Sequence, residues 1–140
     1  MTLRMILLPL FVEVVLTFVL LFWMAALRGG ALRRSEVRYD DIALREPNWP
    51  RGTLAVTNAF HNQLELPILF YVLTILAYVT HHAGLAFVLL AWVFVVLRVL
   101  QAGVHVSNNK VPVRGALFGA GALVLAIMWL LYMIEIIVGV

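Results

Sequence analysis

Four long apolar blocks dominate this 140-residue chain, and they leave it very few folds. They cover roughly 5–27, 53–79, 85–106 and 115–138, and each meets the ~20 residues needed to cross a bilayer at 1.5 Å rise per residue. Backbone amides in hydrocarbon must be paired within their own segment, so each block is expected to be a helix. The third block, LAFVLLAWVFVVLRVL, is β-branched enough to read as a strand in water, but in a membrane its length decides for helix. Composition agrees: charged residues are 12% of the chain, against roughly 25% in soluble domains. The fold expected is all-α, one integral membrane four-helix bundle spanning 1–140. The first block lacks a charged leader cluster and a small-x-small cleavage pattern, so it is read as a retained helix.

Basic residues set the expected orientation. Arg28, Arg33, Arg34, Arg38, Arg45 and Arg51 follow block one, and Lys110 and Arg114 precede block four. Arg4 is the sole Lys or Arg on the other side. By the positive-inside rule both basic linkers are cytoplasmic and both termini lie outside. A net charge of +3 so placed indicates membrane orientation rather than a nucleic-acid partner. With no cysteine there is no disulfide or thiolate metal site, and His81 and His82 stand in a short turn without further ligands, so no metal is expected.

The informative residues are the polar ones inside the blocks. Asn58, Asn62 and Glu65 are four and three apart, which puts them on one helix face, with His61 beside them and Pro67 just beyond. A carboxylate in hydrocarbon costs ~2.5 kcal/mol or more, so Glu65 should face the bundle or a wet cavity. Arg98 lies ~12 Å from the cytoplasmic end of block three, and Gln101 and His105 extend its face. Glu65 and Arg98 come from the same membrane side and are natural candidates for a buried pair, whether for helix orientation alone or for chemistry. Glu13, inside block one, has no evident partner in the sequence. Glu135 can snorkel to the interface. In Asn108-Asn109-Lys110-Val111-Pro112-Val113-Arg114 the proline stiffens the approach to block four, and Arg114 stands at that helix's start. The helix dipole disfavours a cation there, whereas an anion would be held by both the free N–H groups and the arginine.

These residues carry a resemblance. His61-Asn62-Gln63-Leu64-Glu65-Leu66-Pro67 is similar to the second-helix motif of the MAPEG superfamily, the membrane-associated proteins in eicosanoid and glutathione metabolism, and Arg98 through Lys110, Pro112 and Arg114 resembles its third-helix arginine and basic-x-Pro-x-Arg loop. The chain looks like a bacterial-type member. That resemblance implies a homotrimer with twelve transmembrane helices in the bacterial inner membrane, with glutathione as co-substrate between subunits near the cytoplasmic side. It implies glutathione contacts from Asn62, Glu65, Arg98, Lys110 and Arg28, and thiolate stabilisation by Arg114, with His61, Gln101 and His105 as possible additions. The implied activity is a glutathione transferase or peroxidase acting on lipophilic small molecules that arrive through membrane lipids. The chain departs from the family pattern at His61, where an arginine is usual, and at His105 and Phe118, where tyrosines are usual; Gly115 offers no hydroxyl either. These replacements favour the alternative of a non-catalytic lipid-binding or scaffold protein. A transporter would be expected to show matching half repeats with broken helices, and none is evident.

Overall fold

A computed structural model describes residues 1–108 and 110–139; Asn109, part of the second basic linker, lies outside the described residues. Its helices are α1 (Leu3–Arg33), α2 (Tyr39–Ile42), α3 (Arg51–Asn62), α4 (Leu66–Val79), α5 (Leu85–Val106) and α6 (Val111–Val138). Four stretches are long and apolar enough to cross a membrane: α1, the run Arg51–Val79, α5 and α6. The protein is thus an all-α integral membrane protein. Its ends are called here the terminal end (Leu3, Val79, Leu85, Val138) and the linker end (Arg33, Arg51, Val106, Val111).

Several boundaries differ from the sequence reading. α1 continues past residue 27 because 28–33 contain no helix breaker stronger than Gly29-Gly30. It closes where Ser35 turns left-handed (φ 57), with the Ser35 and Glu36 amides donating to the Leu32 and Ala31 carbonyls. Arg28 is therefore a helix residue, not the first of a linker. α6 begins four residues early, because Pro112 fits the first turn, where its missing N–H has no intrahelical partner to lose. Arg114 is consequently the fourth residue of α6, and its amide donates to the Lys110 carbonyl at 2.9 Å. Helix α6 ends at Gly139, whose φ of 81 suits a residue without Cβ.

The second block is not one helix. It breaks over 63–65 into α3 and α4, with Glu65 at φ −99, ψ −103. Pro67 explains the break: it has no N–H to offer the Gln63 carbonyl, and its ring would collide with that carbonyl in a continuous helix.

Helix α5 is the hub, packed against α1, α3 and α6, while α1 also touches α3 and α4, and α4 touches α6. The buried apolar residues form two clusters. The terminal-end cluster includes Ile6, Phe70, Leu73, Phe87, Phe94, Leu125 and Met128, with Phe70 and Phe94 stacked at 4.9 Å. A smaller linker-end cluster comprises Leu20, Met24, Val56, Ala59 and Ala102. Between them, on every helix that contributes to both, lie buried polar residues: Glu13 on α1, Asn62 and Gln63 at the α3–α4 break, Arg98 and Gln101 on α5. The outer faces are apolar, as on α6, where Leu123, Ile127, Leu130, Ile134 and Ile137 are exposed at alternating spacings of four and three. Such a face suits lipid contact.

Candidate functional site

A cleft of ≈ 430 Å³ opens at the linker end between α3, α5 and the first turns of α6. Asn58, His61 and Asn62 come from α3, Glu65 from the break, Gln101 and His105 from α5, and Val111, Arg114, Gly115 and Phe118 from α6. Helical spacing accounts for most of the set: 58, 61 and 62 share one face, as do 101 and 105, and 111, 114, 115 and 118, while the break brings in Glu65. The volume lies within the ~300–1,000 Å³ usual for small-molecule sites.

The deep wall is fixed by Arg98, which is 0% exposed and does not itself line the cleft. Its Nη1 donates to Gln101 Oε1 at 2.9 Å and its Nη2 to the Asn62 carbonyl at 2.6 Å. That carbonyl is one the helix break deprives of a regular intrahelical partner, so a charged donor replaces a lost backbone bond. The guanidinium also lies 6.0 Å from the Phe118 ring centroid. On the cleft side of Arg98, Asn62 Nδ2 and His105 Nε2 are 3.3 Å apart. With the amide nitrogen as donor, the ring proton sits on His105 Nδ1, which has no partner among the described residues. Gln63, absent from the sequence-derived site, is 1% exposed and donates from Nε2 to the Ala59 carbonyl at 3.0 Å, stiffening the end of α3.

The sequence-derived residues therefore divide. His61, Asn62, Glu65, Gln101, His105 and Arg114 meet around the one cleft. The expected Glu65–Arg98 pair does not form: Glu65 is exposed at the start of α4, and Arg98 is engaged with Gln101 and the Asn62 carbonyl. Arg98 does reach the α3–α4 break, at the Asn62 carbonyl, but the break takes Glu65 off the buried face of α3. Lys110 is exposed at the N-terminus of α6 and is not part of the lining. Arg28 lies in a neighbouring cleft of ≈ 230 Å³ with Arg45, Trp49 and Thr57, its guanidinium 5.0 Å from the Trp49 ring centroid. Asn58 and His61 line both clefts.

The match that decides the family is broad. The MAPEG family profile fits residues 6–134, all but the two ends of the chain. The chain belongs to the MAPEG family. No curated protein and no solved structure matches it. MAPEG membership associates the fold with glutathione metabolism in general, and the residues of this MAPEG cleft suit such a ligand chemically. Arg114 can face an anion, Glu65 an ammonium, and the amides of Asn58, Asn62 and Gln101 a peptide group. Among the described residues no group of three His, Asp or Glu could hold a metal ion.

Proposed function

We propose that this protein is a membrane-bound glutathione transferase or peroxidase acting on lipophilic electrophiles, with Arg114 stabilising the glutathione thiolate. The observation that carries this reading is the meeting of Arg114, Glu65 and the Asn62–His105 pair around one open cleft. In the proposed complex Asn62 and Glu65 hold the peptide, with Arg98 acting from behind. Lys110 and Arg28 complete the basic surround, and His61, Gln101 and His105 add polar contacts. Because Arg28 lies in the adjoining cleft of its own chain, its part in glutathione binding is best served by a neighbouring subunit in a homotrimer. In the bacterial inner membrane, with both termini outside, the cleft would open toward cytoplasmic glutathione.

The chemistry follows from charge. An arginine stays protonated at any working pH, so it favours thiolate over thiol, and the thiol proton passes to water. In transfer to an aryl halide, the carbon–sulfur bond forms as the carbon–halogen bond breaks and halide leaves with the electron pair. In peroxide reduction, sulfur attacks the terminal oxygen, giving a sulfenic acid and an alcohol. A second glutathione converts that sulfenic acid to the disulfide and water. Holding both reactants in one cleft removes much of the entropic barrier to their meeting.

The test is glutathione-dependent turnover of a chromogenic aryl halide by detergent-purified protein, comparing wild type with Arg114→Ala. The reading requires turnover above background that falls in the variant; no turnover and no glutathione binding would overturn it. One observation favours a second reading, a non-catalytic lipid-binding or scaffold protein: among the described residues no Ser, Thr or Tyr hydroxyl lines the cleft. That reading expects bound lipid and no thiol chemistry in the same preparation.

A further inference from the structure

Glu13 is the most costly residue in the fold, and nothing in the cleft chemistry uses it. It sits ~15 Å along α1, inside the spanning segment, and is 0% exposed in the single chain, so its burial depends on no partner subunit. Neither carboxylate oxygen has a hydrogen-bond partner among the described residues. The nearby Thr17 hydroxyl is committed to the Glu13 backbone carbonyl at 2.9 Å.

Two buried polar groups on other helices lie within electrostatic range of it. Arg98 on α5 uses both terminal nitrogens for Gln101 and the Asn62 carbonyl, but its Nε is buried without a partner. The Tyr71 hydroxyl on α4 is buried as well, beside Thr17, whose own hydroxyl donates to the Glu13 carbonyl. Glu13, Glu65 and Tyr71 all act electrostatically on Arg98, Glu13 most strongly of the three, although no direct ion pair joins Glu13 to it. Two carboxylate oxygens and one N–H already supply the two to four polar partners that a buried water requires.

We propose that Glu13 is the internal counter-charge of Arg98, joined to it through bound water. It thereby acts as a positioning residue, holding the arginine that braces the α3–α4 break. Arg98 keeps its proton in any surroundings, so an arginine buried mid-membrane needs an anion nearby. Glu13 is the fully buried carboxylate among the described residues. The chain of influence runs from α1 through Arg98 to the Asn62 carbonyl, and from there to the Asn62 side chain and His105 in the cleft. It does not depend on what the cleft binds.

The test uses the full-length protein in detergent and the near-isosteric Glu13→Gln. Infrared difference spectra of wild type against Glu13→Gln should show the loss of a carboxylate stretch at neutral pH. The same difference taken in an Arg98→Met background should show the loss of a carboxylic-acid stretch instead. A carboxylic-acid signal in both backgrounds overturns the counter-charge. Hydrogen exchange should accelerate by about tenfold or more at the amides of Leu64, Glu65 and Leu66 in Glu13→Gln, with the centre of α6 unchanged. Unchanged exchange at the break overturns the positioning role. Glu13→Asp, which keeps the charge, should restore part of the protection; failure to do so counts against the charge as the cause.

Discussion

Replacing Arg114 by alanine should move the ionisation of bound glutathione thiol upward, and its size can be worked out beforehand. A cation 4–6 Å from a thiolate in an effective dielectric of ~20 stabilises it by about 3–4 kcal/mol. Glu65, in the same lining, subtracts from this. A net shift of about two pH units remains, or ~2.7 kcal/mol. From a thiol pKa of ~8.5, the thiolate fraction at pH 7 rises from about 3% to about 75%. Thiolate reactivity falls as basicity falls, with a Brønsted slope of ~0.4–0.5 in thiol–disulfide exchange, so two units forfeit about eightfold. Ionisation alone is then worth only ~3-fold in rate at pH 7, and any larger loss in Arg114→Ala reflects misplacement of the sulfur. The assay is a pH titration of the thiolate ultraviolet absorbance at saturating glutathione, together with the pH profile of kcat/KM. Arg114→Ala should titrate about two units higher than wild type, and Arg114→Lys close to wild type. Identical titration curves for wild type and Arg114→Ala would refute the electrostatic role.

Pro67→Ala restores an amide that can reach the Gln63 carbonyl; hydrogen exchange should show new protection at residue 67, and glutathione affinity should fall about tenfold as the break closes. His105→Ala removes the partner of Asn62, an interaction worth ~1 kcal/mol, so the glutathione Kd measured by calorimetry should rise about fivefold. Phe94→Ala empties a fully buried ring site against Phe70. Lipid chains solvate apolar surface as well as the core does, so the loss in unfolding free energy in detergent should lie at the low end of about 3–5 kcal/mol.

The spanning segments were legible because lipid leaves a run of ~20 apolar residues one backbone solution. Span counting is blind to what Pro67 does, since a broken and an unbroken crossing have the same composition. That blindness produced the mistaken Glu65–Arg98 pair: residue numbers give depth along a helix axis, whereas pairing also needs rotation about it. The faces bearing Asn58, Asn62, Gln101 and His105 were readable from spacing alone, and they do line one cleft. Arg28 was not readable, because its surroundings depend on how 42–49 fold back toward α1, with Arg45 left-handed at φ 64 and Trp49 against the guanidinium. Glu13 stood out by its cost, but its neighbours Tyr71 and Arg98 are 58 and 85 residues away along the chain, beyond any local pattern.

The polar seam between the two apolar clusters divides the molecule mechanically. Below it, at the terminal end, stacked rings and eleven tightly buried apolar side chains make a rigid footing. Above it, five buried apolar residues and a severed helix leave less to disrupt, so local opening there costs less than global unfolding. The upper storey can therefore give way locally while the lower one keeps the helices in register.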